Sequence, residues 1–227
     1  MKLRDSLKVA GQAVRANLLP GLLLQTLMAI FLSLYFLHDG TRGFFGHVAN
    51  FKEECGYGFA FFSYVVSSAV LPEILRIAFF QGGKPNRANL WIFFTGAPAW
   101  GCMGMLVDLF YRSQALWFGT GNDWQTILAK VAVDQFLFAP FLSNPLLIAY
   151  FSWRDAGYRS GALRRILRPG SFVKNNFTVL VAGWCIWIPG VSLVYFMPSA
   201  LQFPVAVLIQ CFWVLIFALI NKPRLQA

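Results

Sequence analysis

Three carboxylates and one guanidinium lie inside long apolar stretches of this sequence, at Glu73, Arg76, Asp108 and Asp134. A charged side chain in a hydrocarbon layer is costly, so such residues usually mark a solute or ion path or pair with one another. Glu73 and Arg76 are three residues apart, which puts them on one face of a helix. Together with Gln135, which follows Asp134, these residues form the predicted polar path.

A structural role for the same charges is the alternative. Arg112 and Lys130 are each four residues from an acid, Asp108 and Asp134 respectively, so local ion pairs could neutralise both. A stripe of small residues precedes Asp108 on the same helical face, at Ala97, Gly101 and Gly104. Small side chains let another helix approach closely, and the stripe therefore predicts helix packing.

Hydrolytic, metal and cofactor chemistry have little support in the sequence. There is no H-E-x-x-H motif, no Ser/His/Asp set and no histidine in any apolar stretch. The 4 cysteines form no C-x-x-C pair, so neither a zinc site nor a disulfide framework is predicted. We predict no catalytic residue, no metal ligand and no cofactor, and a membrane-embedded enzyme is the third alternative for function.

The elements that must position these charges are apolar and long. With 58% hydrophobic and 12% charged residues, the chain is far from the composition of a soluble domain. Six stretches, each long enough to span about 30 Å of hydrocarbon as a helix, cover residues 19–37, 58–80, 90–111, 131–151, 177–197 and 203–220. The predicted fold class is therefore an all-α, polytopic membrane bundle of about six helices within residues 19–220.

The basic residues alternate across the connecting segments. In chain order, the segments before, between and after the six stretches contain 4, 2, 2, 2, 6, 0 and 2 Lys or Arg residues. The odd segments hold 14 and the even segments 4, which predicts that both termini are cytoplasmic. Because this asymmetry accounts for most of the net charge of +10, the expected partner is a bilayer with anionic headgroups and not nucleic acid.

Short basic segments border the predicted bundle. Residues 1–18 have the pattern of an amphipathic helix lying in the membrane interface, and residues 221–227 form a basic tail. The segment between the fourth and fifth stretches is predicted to form a short basic helix on the membrane surface. This helix either contacts lipid or an anion or only determines topology, and its basic residues are Arg159, Arg164, Arg165 and Arg168.

Proline recurs within four consecutive apolar stretches, at Pro72, Pro98, Pro140, Pro145 and Pro189. A proline inside a helix removes an N–H donor and frees a carbonyl about one turn earlier. We therefore expect kinked helices whose freed carbonyls take other donors, an arrangement that suits a polar cavity as well as close packing.

Several of these residues occur in a pattern that resembles the Mpv-seventeen family, also called the twenty-two-kilodalton peroxisomal membrane protein family. The segment Asp134-Gln135-Phe136-Leu137-Phe138-Ala139-Pro140 is similar to that family's D-Q-x-x-F-A-P motif. Other positions of the same pattern are Arg87, Pro98, Asp108, Trp184, Trp187, Pro198 and Trp213. Met103-Gly104 replaces the family's W-Y pair and Trp213-Val214 its final W-N, so the resemblance is to a divergent member.

The family is described as organellar membrane proteins suspected of forming channels for small solutes, so the resemblance implies a channel-like role. Four spans are usually described for it, whereas merging any two of the six stretches here would destroy the alternation of basic residues. We predict a weakly selective channel for small solutes or ions. The alternative is a non-transporting scaffold or assembly factor, and association into a homo-oligomer stays open. A bacterial inner membrane is favoured, with a mitochondrial or peroxisomal membrane as the alternative.

Overall fold

The computed structural model describes the backbone of residues 3–221 and most of their side chains. Side chains outside this description belong to residues 1–17, 20, 166, 169, 171, 174, 175, 178, 182, 185 and 214–221. The predicted basic tail and the amphipathic pattern of residues 1–18 therefore fall almost entirely outside the described part.

Every regular element between residues 3 and 221 is helical, as predicted. The elements are α1 (Leu3–Leu37), α2 (Asp39–Cys55), α3 (Tyr57–Val65), a first π-helix (Val66–Val70), α4 (Leu71–Phe80), α5 (Arg87–Phe118), α6 (Trp124–Val133), a second π-helix (Asp134–Ser143), α7 (Asn144–Asp155), α8 (Ser160–Ile166), α9 (Pro169–Phe196) and α10 (Ser199–Asn221).

Among the described residues, three continuous helical runs are long and apolar enough to cross a membrane. They cover Tyr57–Phe80, Arg87–Phe118 and Trp124–Asp155, and they contain the second, third and fourth predicted stretches. The first predicted stretch lies in α1 and ends at a bend of 99° between Gly21–Leu37 and Asp39–Cys55. This pair of helices counts at most as a fourth, broken span. His38 has an extended backbone at this bend, and its ring accepts a hydrogen bond from the N–H of Thr41. The end of α1 is therefore determined by the cap that starts α2.

The last two predicted stretches fall in α9 and α10. Their described parts form shorter apolar helices, Ile186–Phe196 and Ser199–Trp213. Both contribute to the core, where Val194, Tyr195, Phe203 and Ile209 are fully buried against α1 and α5.

Two of the helical runs, those that contain Pro72 and Pro140, include a stretch of π-helix near the proline, whereas Pro98 lies within the α-helix α5. In a π-helix the carbonyl of residue i accepts from the N–H of residue i+5. The second π-helix contains Pro140, while the first ends two residues before Pro72. Both π-helices lie next to an acid, since the second begins at Asp134 and the first ends three residues before Glu73.

The tightest helix packing joins α3 to α5 through two glycines of the predicted small-residue stripe. A Cβ atom added to Gly104 would lie 2.4 Å from the carbonyl oxygen of Ala60, and one added to Gly101 would lie 2.3 Å from the ring of Phe61. Ala97 is half-buried. The glycines bring the backbones together and hold Tyr64 of α3 against α5.

Candidate functional site

A cavity of about 260 Å³ lies in the middle of the helices. Residues from α3, α5, the second π-helix, α7, α9 and α10 line it. Its polar lining residues are Asp134, Gln135, Ser143, Asn144 and Gln210. Its aromatic lining residues are Tyr64, Trp100, Tyr111, Phe138, Trp184, Trp187 and Trp213. The cavity combines one carboxylate and several amides with aromatic walls, which is the composition of a small-molecule site.

Asp134 is buried at this cavity and is held by neutral donors. Tyr195 donates its hydroxyl to Oδ2 of Asp134 at 2.6 Å, and the side-chain amide of Gln135 donates to Oδ1 at 2.8 Å. Gln114 extends the network, since its Nε2 donates to the Tyr195 hydroxyl at 2.9 Å and to the Lys130 carbonyl at 3.0 Å. Hydrogen bonds of this kind orient the carboxylate and stabilise its charge without cancelling it.

The predicted ion pair between Lys130 and Asp134 is wrong. Among the ion pairs within the described residues, none involves Lys130, whose Nζ lies 5.8 Å from the ring centroid of Tyr195. The helix widens into a π-helix at Asp134, and both carboxylate oxygens already accept from Tyr195 and Gln135. The four-residue spacing between Lys130 and Asp134 therefore did not predict the partners of Asp134.

Asp108, by contrast, is neutralised by two bases. Arg112 donates from Nε to Oδ2 of Asp108 at 2.8 Å, as its spacing predicted. Lys52 of α2 approaches Oδ1 at 3.0 Å, and its side chain is only 5% exposed. The Asp108 side chain is fully buried, so the cluster ties α2 to the middle of α5. Asp108 does not line the cavity.

Glu73 is also neutralised. Arg76 reaches both of its carboxylate oxygens at 2.7 Å, as the three-residue spacing predicted. Asn89 of α5 donates to Oε2 at 2.8 Å and joins the pair to the next helix. Glu73 and Arg87 line a separate, more open groove near the turn between α4 and α5.

Pro140 shapes the wall of the central cavity. In the second π-helix the carbonyl of Gln135 would accept from residue 140, but proline has no N–H. Trp184 of α9 supplies the missing donor, because its indole Nε1 donates to this carbonyl at 3.1 Å. Asn176 donates to the carbonyl of Pro140 at 2.8 Å. Two side chains of α9 thus satisfy backbone groups around the proline break, and one of them is a cavity wall.

The structure separates the predicted polar path. Only Asp134 and Gln135 line the central cavity, while Glu73, Arg76 and Asp108 lie elsewhere. The residues of the Mpv-seventeen-like pattern that line the cavity are Asp134, Gln135, Phe138, Ala139, Trp184, Trp187 and Trp213. The positions away from it are Arg87, Pro98, Asp108, Pro140 and Pro198.

Several residues of the site were not predicted. Tyr111, which lines the cavity, and Tyr195, which donates to Asp134, were not among the predicted site residues, although Tyr111 is 7% exposed and Tyr195 is fully buried. The helix α5 runs on to Phe118, so Tyr111 lies well inside it. Gln114 carried a weak signal, because it follows Tyr111 at a spacing of three and continues the same helical face.

The predicted basic surface helix corresponds to α8. Arg164 and Arg165 lie on it and are exposed, while Arg159 and Arg168 occupy the positions just before α8 and α9. None of the four is among the lining residues of the central cavity.

Fold and site together define an all-helical chain with helices able to cross a membrane and a cavity that combines a carboxylate with aromatic walls. No family model, no curated protein and no solved structure matches this chain. The resemblance to the Mpv-seventeen family therefore remains a prediction, and the function is argued from the cavity.

Proposed function

We propose that this protein is a membrane channel or pathway for small solutes or ions, and that the cavity at Asp134 is part of the path. The observation that carries the proposal is a contrast among the three acids of the predicted polar path. Glu73 and Asp108 each have basic partners, whereas the ion pairs of the described residues include none to Asp134, which lines the cavity.

The contrast matters because of the free-energy cost of a charged side chain inside a membrane. A carboxylate inside a membrane is expensive, and the usual compensation is a nearby base. Asp134 instead accepts two hydrogen bonds from neutral groups, and each oxygen keeps capacity for a further partner. A buried charge that is oriented but not neutralised by the protein is suited to contact water, an ion or a solute in the adjacent cavity.

The proposal includes a topology. Six crossings with both termini on the cytoplasmic side agree with the distribution of basic residues, and the exposed arginines of α8 would then face anionic headgroups on that side. We also propose membership in the Mpv-seventeen family as a divergent member. In support, seven residues of its pattern line one cavity, four of them within residues 134–139 and three in α9 and α10.

Flux through proteoliposomes tests the function. The purified protein is reconstituted in vesicles loaded with small solutes, and efflux of ions and of neutral solutes is recorded. We expect efflux above that of empty vesicles, and we expect Asp134→Asn to alter its rate or selectivity. Glu54→Gln is the matched control, since Glu54 is an exposed acid of α2. Vesicles that stay as tight as empty ones would overturn the proposal.

The second candidate is a non-transporting scaffold. The paired acids favour it, because Lys52 with Asp108 and Asn89 with Glu73 join different helices and act as structural ties. A scaffold predicts tight vesicles together with a stoichiometric partner on purification. Measurable efflux that depends on Asp134 would exclude it.

A further inference from the structure

The central cavity has the composition of a binding site for a small organic cation. We infer that it binds and selects solutes of the alkylammonium class, an inference that rests on the proposed function and specifies the solute.

The charge of the lining favours cations. Asp134 is the one charged side chain among the described residues that line the cavity, and no lysine, arginine or histidine of that set accompanies it. In a site whose dielectric constant is below that of bulk water, one carboxylate without a countercharge attracts a cation and repels anions. An anionic solute would find no basic group on the described walls.

The aromatic content favours an organic cation. Four of the 8 tryptophans of the chain line this one cavity, at Trp100, Trp184, Trp187 and Trp213. Tyr64 and Tyr111 line it as well. Tryptophan gives the strongest cation–π attraction of the natural side chains, and aromatic walls are the usual means of recognising alkylated ammonium groups.

Several of the rings are held in place before any solute arrives. Trp184 is fixed by its hydrogen bond to the Gln135 carbonyl, and Trp100 packs against Phe151 with ring centroids 5.4 Å apart. Tyr64 stacks on Phe203 at 5.7 Å. Walls that need little ordering on binding lose little entropy, so the cavity is preorganised.

Inorganic cations fit less well. A divalent ion such as Ca²⁺ takes six to eight oxygen ligands and usually more than one carboxylate, whereas the cavity offers a single carboxylate and its other oxygens belong to neutral amides and hydroxyls. A quaternary alkylammonium ion has no N–H donor, is only weakly hydrated and needs no such shell. The volume of about 260 Å³ is just below the roughly 300–1,000 Å³ of pockets for drug-sized ligands, so the solute has to be small.

Binding of choline and of 3,3-dimethyl-1-butanol tests the inference. The two molecules have the same shape, but a carbon atom replaces the charged nitrogen in the second. Titration calorimetry on the full chain in detergent gives both affinities, and quenching of the cavity tryptophans gives an independent signal. We expect choline to bind at least about tenfold more tightly than the alcohol.

Two pairs of variants locate the site. Asp134→Asn should weaken choline binding by about tenfold or more, while Glu54→Gln leaves it unchanged. Trp187→Leu should weaken choline binding severalfold, while the same change at the exposed Trp117 has no effect. Circular dichroism and size-exclusion profiles show whether each variant is folded, and the comparison of the two ligands needs no variant.

Equal affinities for choline and the alcohol, no choline binding by the natural chain, or full binding by folded Asp134→Asn would each overturn the inference. Because binding is measured without flux, the two proposals can fail separately. Vesicles that leak solutes, with no choline binding, contradict only the cation site. Choline binding with tight vesicles contradicts only the channel.

Discussion

The indole nitrogen of Trp184 donates to the backbone carbonyl of Gln135 at 3.1 Å. This bond exists because Pro140, five residues after Gln135, lacks the N–H that a π-helix would supply to that carbonyl. A tryptophan from α9 thus supplies the hydrogen-bond donor that the proline in the second π-helix lacks. The pair closes one wall of the cavity and orients the residue next to Asp134.

Replacement of Trp184 by phenylalanine should destabilise the protein by about 1–3 kcal/mol, because a carbonyl inside the bundle loses its donor. Thermal unfolding of the purified protein in detergent measures the loss. Trp117→Phe is the matched control, since Trp117 is 63% exposed.

The same bond gives a double-mutant test. Pro140→Ala restores an N–H at position 140, which can donate to the Gln135 carbonyl in place of Trp184. In that background Trp184→Phe should cost clearly less than in the natural chain. Strictly additive losses would show that Trp184 does not compensate for the proline.

Lys52→Met should destabilise the protein more than Arg112→Met. Both bases pair with Asp108, but the Lys52 side chain is 5% exposed and that of Arg112 is 39% exposed. Removing a buried partner costs about 3 kcal/mol or more, whereas water screens the partly exposed Arg112 guanidinium and reduces its loss to about 1 kcal/mol. Unfolding of both variants under identical detergent conditions gives the order, and the reverse order would contradict the burial of Lys52.

Gly104→Ala should be more harmful than Gly101→Ala. The added Cβ at position 104 meets the backbone oxygen of Ala60, which cannot move without shifting α3, whereas at position 101 it meets the ring of Phe61, a side chain. We expect a loss of about 2 kcal/mol or more for Gly104 and a smaller one for Gly101.

Gly46→Ala serves as the control for these two changes. Gly46 lies within α2, and a Cβ added there meets nothing within 4 Å. Alanine favours helix by up to about 1 kcal/mol over glycine, so this variant should be unchanged or slightly more stable. Equal losses at all three glycines would contradict the close contact of α3 and α5.

Asp123 should make stability depend on pH at the start of α6. Its Oδ1 accepts from the N–H of Thr126 at 3.0 Å, and this backbone hydrogen bond lowers the pKa of Asp123 below its ordinary value of 3.8. Because the folded pKa is the lower one, the cap stabilises the protein above pH 3.8 and is lost as the pH falls through the lowered value.

Asp123→Ala should therefore lower the melting temperature near neutral pH, and the difference from the natural chain should shrink below pH 3.8. Asn122→Ala is the neighbouring control, because Asn122 is exposed and precedes the cap. A difference that stayed constant down to acidic pH would exclude a charged cap.

Local features of this chain were predictable and distant contacts were not. Hydrophobic runs of span length predicted three of the helices, and spacings of three and four predicted Glu73 with Arg76 and Asp108 with Arg112. These follow from the period of a single helix. The ion pair of Lys52 with Asp108 could not be predicted in this way, because it depends on how α2 folds back after the bend at His38.

The candidate site shows the same division. Asp134 was predicted from the cost of buried charge and Gln135 as the residue that follows it in the D-Q-x-x-F-A-P motif, and both line the cavity. Tyr195 was not, since nothing in the order of residues indicates that α9 brings its hydroxyl to Asp134. The predicted ion pair of Lys130 and Asp134 is absent, although the two residues are four apart. The i, i+4 rule fails here because a π-helix begins at Asp134 and because Tyr195, from another helix, donates to its carboxylate.

Water access to the cavity is the most direct test of the path at Asp134. A single cysteine is placed at Ala139, which lines the cavity, or at Phe141, which is 76% exposed on the outside of the same π-helix. Both are made in a background without the 4 native cysteines and are reconstituted in vesicles. Reaction with a membrane-impermeant cationic thiol reagent is then measured. We predict modification at position 139 and none at position 141, which would face lipid. No reaction at position 139, or equal reaction at both, would contradict an aqueous path past Asp134.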